Sequence, residues 1–240
     1  MEWPRLATYV FATGSDTVEA IPEPGVPYER IEDVYTRSVL PMVLQASGHE
    51  TLHASAISTG RGVLGFCGGR GVGKSTIAYG LAHRGFRQHS DDTLVMEIGR
   101  RGIAALGLPF VRRLRQPSAE FFGVGSDSRH ADSVAVPAPA REDVRAIFVL
   151  QRAEQHAGPV VVRLSAAAAF GAVLAHANCF NPDDLASRRR LLMNYLELSA
   201  RVPVFEVRFQ TGLDRLDLLL DRLLASAEIA QETAPRARLS

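Results

Sequence analysis

The sequence predicts an α/β fold: one compact domain with a small β-unit in front of it. Three observations predict it. Apolar runs of strand length recur between turn-forming residues, and segments with apolar residues at helical spacing alternate with them. One strand-like run, residues 62–67, then leads through glycines straight into a helical segment at 76–84. Length agrees, because 240 residues with 46% hydrophobic side chains suffice for a packed core.

Taken in order, residues 6–11 are apolar and aromatic, Gly14-Ser15-Asp16 form a turn, and residues 17–21 alternate as a strand does. After Pro22, Pro24 and Pro27, the run 31–46 places Val34, Val39, Leu40, Val43 and Leu44 near helical spacing, with Pro41 marking a start or a kink. Residues 52–57 and 62–67 read as two strands around Ser58-Thr59-Gly60-Arg61, and 93–98 with 103–108 as a hairpin around Gly99-Arg100-Arg101-Gly102. The polar, proline-bearing stretch 123–139 reads as a mobile loop. Strands are expected at 144–150, 160–164 and 203–209, and helices at 165–175 behind an N-cap at Ser165, at 185–200 and at 213–224. The expected division is a β/α unit at 1–50 packed on the core, a main domain at 51–226 and a disordered tail at 227–240.

Composition removes several function classes. Twenty-seven basic and 26 acidic side chains give a net charge of +1, so no global field draws in nucleic acid or an anionic membrane, and bound anions must be held locally. No apolar run approaches the roughly 20 residues that span a bilayer. The first residues, with Glu2 and Pro4, lack the basic-then-apolar layout of a secretory signal. Cys67 and Cys179 lie far apart without metal-ligand spacing, which fits reduced core thiols and a cytoplasmic address.

Chemistry concentrates in Gly68-Gly69-Arg70-Gly71-Val72-Gly73-Lys74-Ser75, which fits G-x-x-x-x-G-K-[ST] between a strand and a helix that Thr76 opens. Glycines let the backbone wrap with its N–H groups inward, and the helix N-terminus adds positive potential. Lys74 then reaches the β- and γ-phosphates of a nucleoside triphosphate, and the Ser75 hydroxyl can ligate Mg²⁺. Asp91-Asp92, at a junction between strands, supplies two carboxylates. One can serve the Mg²⁺ shell while the other accepts a proton from an attacking hydroxyl, and the division between them is open. The residues before the pair, Arg87, Gln88, His89 and Ser90, are too polar for the apolar run that precedes the Walker B aspartate of RecA-like and transporter ATPases.

Three linked pieces resemble a family, the catalytic domain of bacterial HPr kinase/phosphorylase and its short stand-alone relatives, including lasso-peptide precursor kinases. They are Leu52-His53-Ala54-Ser55-Ala56, the octet ending at Ser75, and Gly85 followed by Ser90-Asp91-Asp92. The resemblance implies a P-loop-containing mixed sheet flanked by helices, related to phosphoenolpyruvate carboxykinase. It also implies Lys74 as the phosphate-binding lysine, Ser75 as the metal-ligating hydroxyl, Asp91 as general base and Asp92 as metal-associated carboxylate. His53 matches a histidine that lies near the transferring phosphate in the family, and reads equally as a hydrogen-bonded core histidine. Arg112, Arg113 and Arg115 read either as a second anion site or as a solvated strand edge. The family's separate N-terminal domain and its second signature are missing from this sequence, which points away from phosphorylase activity and from HPr as substrate.

The function expected is an ATP- and Mg²⁺-dependent kinase that phosphorylates a hydroxyl, a serine of a peptide or protein such as a lasso-peptide precursor. Two alternatives are a nucleotide-binding regulatory module with little turnover and a small-molecule kinase. Homo-oligomers are expected from the family, while residues 213–224 read first as core.

Overall fold

The computed structural model describes residues 1–12, 17–110, 114–124, 140–154, 158–180 and 183–232. Prolines and turns divide the first 50 residues into short pieces. β1 (Glu2–Trp3), β2 (Ala7–Val10) and β3 (Glu19–Pro22) pair antiparallel in that order. α1 (Tyr28–Val34) and α2 (Leu40–Ala46) follow, joined by a π-helical turn, Tyr35–Val39. Pro41 has no N–H to give the Arg37 carbonyl four residues back. The widened turn, in which the Leu40 N–H donates to the Tyr35 carbonyl, accommodates that gap. This unit has its own small core of Leu6, Tyr9, Ile31, Val39 and Val43, tied by the Tyr9 hydroxyl donating to the Ile31 carbonyl at 2.8 Å.

The main sheet contains β4 (Glu50–Leu52), β5 (Ala54–Ser58), β6 (Val63–Gly68), β7 (Arg87–Ser90), β8 (Leu94–Ile98), β9 (Ile103–Leu106), β10 (Glu142–Arg152), β11 (Val160–Arg163) and β12 (Val204–Phe209). Its order is β4-β8-β9-β10-β6-β5-β7, and β10 also pairs with β12, which pairs with β11. Parallel and antiparallel neighbours both occur, so the sheet is mixed. Helices α3 (Lys74–His83), α4 (Gln116–Phe121), α5 (Ala166–Leu174), α6 (Leu185–Arg201) and α7 (Leu216–Glu232) flank it.

Alternation along the strands builds two cores, because successive side chains point to opposite faces. Cys67, Ile147, Val149 and Val204 face α5 and α6, packing with Ala169, Val173, Leu191, Tyr195 and Leu198. Leu64, Phe66, Ala146, Phe148, Phe205 and Val207 face α3 and α7, packing with Ile77, Leu81, Leu220 and Leu223. A register shift between Val144 and Ala146 puts Val144 on the face of odd-numbered Ile147. Phe66, Phe148 and Phe205 occupy matched registers on β6, β10 and β12 and stack at 5.6 and 5.2 Å. They fix the relative height of the three strands that carry the site.

Four expectations need correction or addition. α7 continues to Glu232 and Ala227 is buried on it, so the loss of periodicity at 227 does not end the helix. Cys67 is buried but Cys179 is exposed, not a core thiol. The short helix α4 carries no periodic signal in its six residues. Residues 125–139, most of the expected loop, lie outside the described residues, as do Arg112 and Arg113.

Candidate functional site

Strand directions decide where the chemistry collects. β6, β10 and β12 are parallel, while β5 is antiparallel to β6 and β7 antiparallel to β5. The C-terminal ends of β7, β6, β10 and β12 therefore open on one edge of the sheet, the usual ligand edge of an α/β fold. That edge carries Asp91-Asp92 after β7, the glycine loop after β6, Arg152 at the end of β10 and Gln210-Thr211-Gly212 after β12. His53, just before β5, reaches the same edge. His53, residues 70–76 of the loop and α3, Asp91, Asp92, Arg152 and residues 210–212 line one cavity of about 990 Å³.

The glycine loop connects β6 to α3 as the sequence predicts. A Cβ at Gly68 would lie 2.8 Å from the Leu150 carbonyl, so the loop can leave the sheet this closely only without a side chain. Val72 is buried in the α3-facing core and anchors the middle of the loop. Lys74 is buried, its ammonium donating to the carbonyls of Gly68 at 2.9 Å and Gly69 at 3.3 Å. Burial lowers its pKa, while Asp92, Cys67 and Asp91 oppose the shift and Arg115 reinforces it. No side chain caps the start of α3 behind Gly73, so the first N–H groups of that helix face the cavity for an anionic ligand. Thr76 and Ser118 share a hydrogen bond of 2.9 Å that ties α4 to α3.

Two guanidinium groups flank the loop. A Cβ at Gly71 would come within 3.0 Å of the Arg115 guanidinium, and Arg152 donates to the Gly71 carbonyl. Register explains Arg152: Leu150 pairs with Gly68, so a residue two positions further along β10 stands above the loop. No local pattern in the sequence singles it out, since Gln151 separates it from the apolar run and only strand register places it at the loop.

Asp91 and Asp92 are not equivalent. Asp91 is buried, and its carbonyl accepts from the Ser55 hydroxyl of β5. Asp92 is half-exposed and pairs with Arg37 of the π-helical turn at 3.5 Å. The His53 Nδ1 donates to the Asp92 carbonyl at 3.0 Å, and the His53 N–H donates to the His176 carbonyl at 2.9 Å. His53 thus braces the acidic turn from below. Burial, with Lys74 and His53 nearby, lowers the pKa of His176. β7 itself is buried at Gln88, His89 and Ser90 despite its polar sequence, so the acidic pair does follow a buried strand.

Among the described residues six basic ones, Arg37, Arg70, Lys74, Arg115, Arg152 and Arg215, line the cavity against Asp91 and Asp92, which gives a nearly neutral chain a locally cationic site. Its oxygen donors, the Ser75 hydroxyl and the two carboxylates, suit a hard divalent cation. Among the described residues no cluster of three or more His, Cys, Asp or Glu forms an all-protein cage. That fits Mg²⁺, which keeps waters and phosphate oxygens in its shell and needs only one or two protein oxygens. The lining also includes apolar Pro159, Phe209, Leu213, Leu216 and Leu219.

The structure thus brings together His53, residues 70–75 of the octet, Thr76, Asp91, Asp92 and Arg115 at one cavity, leaves Gly68 and Gly69 outside its lining, and adds Arg37, Arg152 and the loop after β12. Among the described residues no helix is long and apolar enough to cross a membrane. No family model matches the sequence, and no curated protein matches it. Among solved structures the chain is similar to the HPr(Ser) kinase/phosphatase from Coxiella burnetii, at 15% sequence identity, covering 76% of this chain and 92% of that one with a TM-score of 0.41. That likeness carries no functional argument.

Proposed function

We propose that the chain is a kinase that transfers the γ-phosphate of Mg-ATP to a hydroxyl, with a serine of a peptide or protein as acceptor. One observation carries the reading: a glycine-wrapped, buried lysine and a pair of carboxylates line a single cationic cavity at the ligand edge of the sheet. A loop that only held phosphate would have no need of the carboxylates.

The roles follow from position. Loop N–H groups and Lys74 hold the β- and γ-phosphates, and exchange of the lysine's carbonyl partners for phosphate oxygens draws the ammonium forward. Arg115 and Arg152, above Gly71, neutralise charge on the phosphoryl group as it moves. Asp91 accepts the proton of the acceptor hydroxyl while that oxygen forms its bond to phosphorus and the bond to the ADP oxygen breaks. Ser75 and Asp92 would hold Mg²⁺, which when bound screens the β- and γ-oxygens. The apolar lining residues Phe209, Leu213, Leu216 and Leu219 take the base, and Arg37, Met42, His53 and Phe180, which line the same cavity, meet the acceptor.

A regulatory module with little turnover is the second reading, favoured by Asp92 being occupied by Arg37. Incubation with γ-labelled ATP, Mg²⁺ and candidate peptides separates the two. Label on a peptide serine, lost in Lys74→Ala and reduced at least about a hundredfold in Asp91→Asn, is the expected result. Tight ATP binding without transfer to any acceptor would sink the kinase reading in favour of the module.

A further inference from the structure

Arg37 reaches the cavity from outside the main sheet. It projects from the π-helical turn between α1 and α2, and its guanidinium lies between two carboxylates, Asp92 at 3.5 Å and Asp33 at 3.4 Å. The unit that carries it is firmly docked. Buried Gln45 at the end of α2 donates from Nε2 to the Asn178 carbonyl at 2.6 Å, its Oε1 accepts from the Phe180 N–H at 2.9 Å, and Arg190 donates to its carbonyl at 3.2 Å. The position of Arg37 is therefore built into the fold. Both members of the Arg37–Asp92 pair are about half exposed, at 42% and 50% of their side-chain surface. A pair so exposed is weak and readily exchanged, unlike a buried structural lock.

We propose that Arg37 is a positioning residue that acts through Asp92. It holds the carboxylate at the cavity wall in the metal-free state and surrenders it when the divalent cation arrives with the nucleotide. This inference rests on the assignment of Asp92 to the metal. It adds that metal loading competes with an ion pair supplied by the N-terminal unit, so that the docking of this unit and the loading of the site are linked. Release of Asp92 leaves the guanidinium at the cavity wall, paired with Asp33.

The test is binding of a fluorescent ATP analogue to the full chain across a Mg²⁺ titration, read as the Mg²⁺ midpoint at saturating nucleotide. Arg37→Gln removes the competitor and is expected to lower the midpoint about two- to fivefold, the range an exposed ion pair can shift an equilibrium. Arg37→Lys, which keeps the charge, stays close to the parent. Arg70→Gln, another cation of the same cavity, weakens the analogue at every Mg²⁺ concentration without moving the midpoint. In an Asp92→Asn background, Arg37→Gln has no further effect, as a double-mutant cycle requires for coupling through that carboxylate. An unchanged midpoint in Arg37→Gln, or a shift that persists without the Asp92 carboxylate, overturns the proposal. Absence of analogue binding to the parent protein overturns the nucleotide reading and this inference with it, whereas binding without phosphoryl transfer overturns only the kinase reading.

Discussion

At Gly71 the backbone turns through φ +79°, and the space a Cβ would need is taken by the Arg115 guanidinium. Gly71→Ala therefore meets two costs, left-handed backbone strain of about 1–2 kcal/mol and a small shift of the Arg115 guanidinium. ATP affinity by calorimetry should fall roughly tenfold or more, with little change in thermal midpoint if the loop alone relaxes. Other residues of the site were legible by type and spacing, because the glycine-lysine-serine octet has few uses besides phosphate binding. Arg37 and Arg152 were not. Their importance depends on a π-helical turn and on strand register, and neither is written in the residues beside them.

Among the elements, α3 is the one on which the site depends most, since its N-terminus faces the cavity and its other side is packed. Ile77, Ala78 and Leu81 enter the core shared with α7, and Arg84 at its end forks to Asp217 and Asp221 at 2.6 Å each. α7 thus supports the phosphate loop from behind, and its burial extends to Ala227. Ala227→Asp, placing a carboxylate in that apolar contact, should cost about 1–3 kcal/mol of stability by urea unfolding; an unchanged midpoint would mean that this part of the helix contributes nothing. Sequence periodicity weakens there because the buried position is a small residue, Ala227, where a leucine would extend the stripe. β7 was hard to read for a related reason. It is buried on both faces, through Gln88, His89 and Ser90, which no apolar alternation announces.

For the whole molecule, His89 ties stability to pH. Burial pushes its pKa from 6.5 down to about 4, with Glu142 opposing and Arg87 reinforcing the shift. The folded state then binds fewer protons than the unfolded state between these values. Stability is full above about pH 6.5 and falls as pH drops toward 4, by at most roughly 3 kcal/mol from this group. Denaturant unfolding at pH 7 and pH 4.5 should show a loss that is smaller in His89→Gln; equal losses would remove His89 as the cause. On its own the sequence determined the α/β alternation, the glycine loop with its strand and helix, and the acidic pair, because backbone conformation and local polarity set these within a few residues. Only the tertiary structure decided that parallel strands would open on one edge and that the N-terminal unit would deliver Arg37 there. Those outcomes depend on strand order and register, and contacts between residues more than a hundred positions apart, such as Gln45 with Asn178, fix them.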